Sequence, residues 1–178
     1  MLYFHGNAED VGHNFMFLYR LQELFNVSVL AMEYPGYGFF THEIKNGYQN
    51  LGKKLSCSAS GIASNAISVY NHVIKPVEEG GLGYREDQII VFGRSMGSGP
   101  SSQLASMFNP KALILMSAYT TIKAVAQNVA GSFLGYFVAN HFNNLDKMKG
   151  VTCPTILIHG KSDPLIPWQH SQALYDEL

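Results

Sequence analysis

A serine set between glycines gives this chain its clearest chemistry. The apolar run Ile89-Ile90-Val91-Phe92 leads directly into Gly93-Arg94-Ser95-Met96-Gly97, which Ser98 and Gly99 continue. A serine on a sharp turn from strand to helix needs unusual backbone angles, and neighbours two before and two after it must lack a Cβ that would clash. Gly93 and Gly97 satisfy that demand. Such a turn presents a hydroxyl for nucleophilic attack, whereas an isolated Gly-x-Ser-x-Gly can also be an ordinary tight turn. The β-branched and aromatic residues before it and the helix-compatible run after it favour the reactive reading.

A serine hydroxyl needs a base to take its proton and an acid to orient that base. The acid candidate is Asp163, in the turn His159-Gly160-Lys161-Ser162-Asp163-Pro164 that follows an apolar strand pattern. Aspartate before proline also makes turns through its own side chain. Its position at the same sheet edge as Ser95 favours catalysis. Acyl chemistry further requires donors for a developing oxyanion, and backbone amides supply these without reorganising. Met96, directly after the serine, is one oxyanion-hole candidate. The other is Asn7, with Ala8 as the alternative, in the loop His5-Gly6-Asn7-Ala8-Glu9-Asp10. The competing reading of that loop is a plain turn with Asp10 near a helix start.

The elements that must position these groups alternate strand and helix. Strand patterns fall at residues 2–5, 27–32, 88–92, 112–116 and 154–159. Helical patterns fall at 14–25, with Phe15, Leu18, Leu21, Leu24 and Phe25 as its apolar positions; at 62–77, with Ile62, Ala66, Val69, Tyr70, Val73 and Ile74 on one face; after Ser95 through about 107; and at 167–178. Residues 41–58 read as a polar loop, and Tyr34-Pro35-Gly36-Tyr37-Gly38 as a turn that either borders the site or is purely structural. Alternation with apolar strands predicts an α/β fold: three layers, α/β/α, around a mostly parallel sheet covered on both faces. Its catalytic groups collect at the carboxyl ends of the strands.

One domain spanning 1–178 is expected, with 118–150 as a small helical cap inserted between the strands at 112–116 and 154–159. The cap's Tyr119, Phe133, Tyr136, Phe137 and Phe142 either line an acyl-chain pocket or form the cap's own core. Twelve basic and thirteen acidic residues, net charge -1, exclude the electrostatic footprint of a nucleic-acid binder. Cys57 and Cys153 are far apart and lack metal-ligand spacing, so neither a metal nor a cofactor is expected, and a reduced, cytoplasmic setting accounts for both. No run has the length of a membrane span. A strand at the very first residues suggests a chain truncated at its start.

These residues resemble the α/β-hydrolase superfamily and, within it, the BEM46-like and ABHD17-like serine hydrolases. The resemblance rests on LYFHGNAED at 2–10, AMEYPGYG at 31–38 and FGRSMGSG at 92–99, with ILIHGKSDPLIP at 156–167 in support. It implies an α/β-hydrolase fold and a serine hydrolase that cleaves ester or thioester acyl bonds of a small-molecule or lipid-acyl substrate through an acyl-enzyme on Ser95. It also implies a triad in the chain order Ser, Asp, His, the histidine following one further strand. Only fifteen residues follow Asp163, enough for a loop and a helix, so the resemblance implies a chain truncated at its end as well, with the triad base missing, activity weak or absent, and an unpaired last strand open to an edge-strand dimer. His5 and His159 read as supporting groups bonded to nearby backbone, and His170 as a surface residue. His141 lies in the cap, and His13, His42 and His72 read as solvated or packing residues. A non-catalytic binding or scaffold protein and a serine peptidase are the alternatives. Peripheral membrane attachment would come from flanking sequence.

Overall fold

The computed structural model describes residues 1–45, 50–125 and 142–178. Strands β1 (Leu2–Phe4), β2 (Leu30–Met32), β5 (Ile90–Arg94), β6 (Ala112–Met116) and β7 (Thr155–Ile158) form one sheet in the order β2-β1-β5-β6-β7. Every pairing in it is parallel. Parallel neighbours require crossovers, and the described helices supply them. They are α1 (Phe15–Phe25), α2 (Ala59–Ile74), α3 (Ser98–Met107), α4 (Asn144–Met148) and α5 (Gln169–Tyr175). The three-layer α/β/α architecture read from the sequence is therefore present.

Side chains alternate across the strands, and the core divides accordingly. Leu2, Phe4, Val91, Leu113 and Leu115 point to one face, where they pack with Ile62, Ala66, Tyr70 and Val73 of α2, Leu104 of α3, Met148 of α4 and Leu174 of α5. Tyr3 and Phe92 point to the other, where Leu21 of α1 is buried against them and Phe17, Leu18, Ile114 and Met116 join from partly buried positions. The α2 face expected from the sequence is the buried one, and Ser58 caps that helix by accepting the Gly61 amide at 3.1 Å.

Four expectations need correction. The sheet is not covered evenly: Ile156 and Ile158 of β7 are 53% and 44% exposed, and among the described helices α1 is the one whose side chains enter the second cluster. Nor does α1 bury its whole apolar stripe, because Leu21 is its buried residue while Phe15, Leu24 and Phe25 face solvent. Periodicity defines a face without saying what covers it. The segment expected as a loop contains an antiparallel pair, β3 (His42–Lys45) and β4 (Asn50–Lys54). The strand expected at 88–92 begins two residues later, because Glu86–Gln88 form a short 3-10 turn in which the Arg85 amide donates to Gln88 Oε1 at 3.0 Å and the Gln88 amide to the Arg85 carbonyl at 3.0 Å. Most of the expected cap, including Phe133, Tyr136, Phe137 and His141, lies outside the described residues.

Candidate active site

The elbow is built where β5 ends. Ser95 has φ +50°, in the left-handed region that costs a non-glycine residue roughly 1–2 kcal/mol, and it opens a three-residue 3-10 turn that runs straight into α3. Packing holds it there. A Cβ on Gly97 would lie 2.6 Å from the carbonyl carbon of Phe4 and 2.9 Å from the oxygen of His5, and one on Gly93 would lie 2.8 Å from the Gly97 carbonyl carbon. The glycines expected on steric grounds are thus where backbone meets backbone. The close approach also seats the elbow directly against the end of β1, from which the loop 5–10 departs.

Ser95 borders a pocket of about 360 Å³ together with Asn7, Met96, Tyr119, Ile122, Val125, Leu165 and Ile166. Three of the four sequence-predicted site residues, Ser95, Met96 and Asn7, therefore share one cavity. Asp163 is not among the lining residues. One carboxylate oxygen accepts the amides of Leu165 and Ile166, each at 3.0 Å, and so shapes the loop that carries those two side chains into the pocket. Burial alone would raise its pKa. The amides of Ile166 and Leu165, the Ser117 hydroxyl and His159 outweigh that and hold the carboxyl below the usual aspartate range. The turn-making bonds weighed for Asp163 are thus present, and so is its placement beside the pocket loop.

The loop after β1 is tied down by contacts that no local pattern announces. Glu9 takes the Gly6 amide at 3.1 Å through one oxygen and pairs with Arg94, next to the serine, through the other. The buried His5 ring bonds to the Gly6 carbonyl at 2.9 Å through Nδ1 and to Glu33 at 2.8 Å through Nε2. Tyr34 donates to the His5 carbonyl at 2.8 Å, and Tyr37 donates to Asn7 Oδ1 at 2.5 Å. Sequence offered one signal for the last two: the turn at 34–38 ends the strand beside this loop. For Glu9 with Arg94, 85 positions apart, it offered none.

Among the described residues no histidine borders the pocket. His159 is a supporting group, as expected: Nε2 bonds to the Ile166 carbonyl at 2.7 Å and Nδ1 to Ser171 at 2.6 Å. His170 is not the surface residue expected. It is half-buried, and Nδ1 lies 2.9 Å from Thr120 Oγ1 and accepts the Thr120 amide at 3.3 Å, one residue from the pocket-lining Tyr119. Burial, and then the neighbouring His159, lower its pKa. Tyr119 is buried as well, which raises its pKa, so its hydroxyl stays protonated and donates to the Met96 carbonyl at 3.4 Å. The described residues contain no cluster of side chains suited to a metal ion, and no helix long and apolar enough to cross a membrane.

A parallel sheet whose central strand ends in a glycine-flanked serine elbow, with an apolar pocket at the strand ends, defines the α/β-hydrolase class. The chain has the α/β-hydrolase fold, and its sequence is similar along almost its whole length to the alpha/beta hydrolase domain-containing 17 proteins. It is 30% identical over 176 residues to the Caenorhabditis elegans alpha/beta hydrolase domain-containing protein aho-3, covering 99% of this chain and 47% of that protein. With the human alpha/beta hydrolase domain-containing protein 17B it shares 27% identity over 176 residues, 99% of this chain and 54% of that one. The chain spans about half the length of these relatives. Among solved structures, a Paleococcus ferrophilus monoacylglycerol lipase superposes with a TM-score of 0.65 at 18% identity, over 99% of this chain and 79% of that one. The Pyrococcus furiosus esterase Pf2001 superposes with a TM-score of 0.64 at 18% identity, over 99% and 66%. No family model matches the chain.

Proposed function

We propose that this chain is a serine hydrolase that cleaves ester or thioester bonds of an apolar acyl group through an acyl-enzyme on Ser95. The observation behind this reading is the elbow: Ser95, held at φ +50° by backbone contacts, opens onto a pocket that no charged side chain lines among the described residues. Burying a charged acyl group there would leave it unpaired, which is strongly unfavourable, so a neutral hydrocarbon group fits best.

In this mechanism Ser95 Oγ attacks the carbonyl carbon as its proton passes to a base, and a tetrahedral oxyanion forms. The backbone amides of Met96 and Asn7 donate to that oxyanion. The proton then goes to the leaving alkoxide or thiolate, the carbon-oxygen or carbon-sulfur bond breaks, and an acyl-Ser95 ester remains. Water, deprotonated by the same base, releases the acid and restores Ser95. Asp163 would orient that base. No described histidine borders the pocket, so this reading assigns the base to a residue outside the described ones. Loss of a triad base costs about a million-fold in rate, so without that residue turnover is expected near background.

A fluorophosphonate probe with added imidazole tests the reading. Slow labelling of Ser95 that imidazole accelerates, and that Ser95→Ala abolishes, is the expected result. Failure to label Ser95 at any imidazole concentration would sink the nucleophile assignment. It would favour the alternative of a binding or scaffold protein on a hydrolase fold, for which the absence of a histidine from the pocket border among the described residues is the supporting observation.

A further inference from the structure

We infer that Tyr37 is a positioning residue for the oxyanion donors, bracing the Asn7 loop and the Met96 side chain with one phenol. The inference rests on the proposed role of Ser95 and adds to it a group that the chemistry itself does not touch. Its hydroxyl donates to Asn7 Oδ1 at 2.5 Å and lies 3.9 Å from Met96 Sδ, so it contacts the side chains of both residues whose amides would hold the oxyanion. Neither residue is near it in sequence.

Asn7 needs a brace. It is exposed, and the next residue, Ala8, has φ +57°, a conformation that L-residues adopt at a cost and keep only when their surroundings enforce it. The rest of the loop has its own anchors, through His5, Gly6 and Glu9. The bond from Tyr37 reaches the segment between them. Oxyanion donors act through pre-set orientation, and an amide that wanders loses much of its advantage.

Tyr37 is itself firmly set. Its amide donates to the Tyr34 carbonyl at 2.9 Å and its carbonyl accepts the Phe40 amide at 2.9 Å. Gly36 and Gly38, at φ +88° and +46°, make the tight turn around it. Its ring sits edge-on to Tyr34 at 5.7 Å and tilted against His5 at 5.7 Å. Burial raises the phenol's pKa, with Cys57 and Glu33 adding to the effect, so the proton that makes it a donor is retained. A ring packed against two others and a hydroxyl aimed at Asn7 make a rigid strut.

A double-mutant cycle in the full 178-residue chain tests this, using Tyr37→Phe, Asn7→Ala and the pair. Phenylalanine keeps the ring packing, and Asn7→Ala keeps the backbone amide. Two readouts are taken: imidazole-assisted labelling of Ser95 by fluorophosphonate, and backbone ¹⁵N order parameters of Asn7 and Ala8. Each single variant is expected to slow labelling about tenfold, a fraction of the roughly hundredfold or greater loss when an oxyanion donor is removed. The order parameters are expected to fall from the rigid range near about 0.85 toward about 0.6. The pair is expected to cost no more than either alone, because both remove the same bond. A purely structural tyrosine would give additive effects with unchanged order parameters at Asn7 and Ala8, and that result overturns the inference. Should Tyr37→Phe fail to fold, Asn7→Ala decides: unchanged labelling and an unchanged Ala8 order parameter refute the brace. If Ser95 is not labelled in the parent chain, the nucleophile reading falls, while the order-parameter cycle still decides whether Tyr37 holds the loop.

Discussion

The two ends of the site are held in opposite ways. At the elbow, backbone packs on backbone and the ties reach far along the chain: Gly97 against Phe4 and His5, Arg94 to Glu9, Tyr37 to Asn7. At the acid end, beyond β7, Asp163 is held chiefly by amides two and three residues away, and the strand before it leaves Ile156 and Ile158 half in solvent. A strained residue persists only where its surroundings over-determine it. Ser95 at φ +50° sits in the end that meets this condition, whereas Asp163 needs only a turn that short-range bonds can make.

Glycine substitutions break that comparison most sharply. Gly97→Ala puts a Cβ against the Phe4 carbonyl, and main-chain atoms of a central strand cannot move aside cheaply. A loss of about 3 kcal/mol or more in chemical denaturation is expected, with labelling of Ser95 abolished. Gly160→Ala, in the loop after β7, meets nothing within 4 Å and has no positive φ to defend. It is expected to change stability by no more than about 0.5 kcal/mol. Equal effects at the two glycines would show that the ends are not held differently.

The core gives the next largest contrast. Phe4 is fully buried between the sheet and its helices, so Phe4→Ala leaves a cavity and is expected to cost about 3–5 kcal/mol by urea unfolding. Ile158→Ala removes a side chain that water already reaches and should cost less than about 1.5 kcal/mol. A cost for Ile158 near that of Phe4 would mean that the exposed face of β7 is covered in solution.

The same contrast explains which parts of the molecule were legible in the sequence. Strand β6 is read correctly from ALILM at 112–116, because a short apolar run between turn residues has few alternatives. The elbow is legible because its requirement is local: a strained serine, two glycines, a strand before and a helix after. The short-range bonds of Asp163 are legible for the same reason. Contacts across space are not. Nothing in the types of Glu9 and Arg94, or of Tyr37 and Asn7, says that they meet, since folding alone brings residues 85 and 30 positions apart together. Burial is likewise a property of partners, which is why the stripe of α1 and the strand β7 look like core in sequence and stand partly in solvent. The pair β3 and β4 was not legible, because its polar residues lack the apolar alternation that marks a strand.

Acid supplies the smallest test, and it acts on the β7 end. His170 and Asp163 both have pKa values below their ordinary range, His170 chiefly through burial and Asp163 because its amide, hydroxyl and His159 partners overcome burial. For a depressed pKa the unfolded chain takes up the proton first. Each group's contribution is therefore full above its unfolded pKa and is lost as pH falls toward its folded pKa. For His170 that loss begins below about pH 6.5, and for Asp163 below about pH 3.9, so two separate windows are expected. His170→Asn should flatten the slope of stability against pH in the upper window, and Asp163→Asn in the lower one, each by a fraction of a proton. Asp163 is partly open to solvent, so screening keeps its share small. The measurement is urea unfolding at pH steps from 7 to 3, with the fluorescence of Trp168 as the probe, since it lies one residue before α5 on the end that acid should loosen. If His170→Asn leaves the upper slope unchanged, the proton is taken up elsewhere, and burial does not hold that ring neutral.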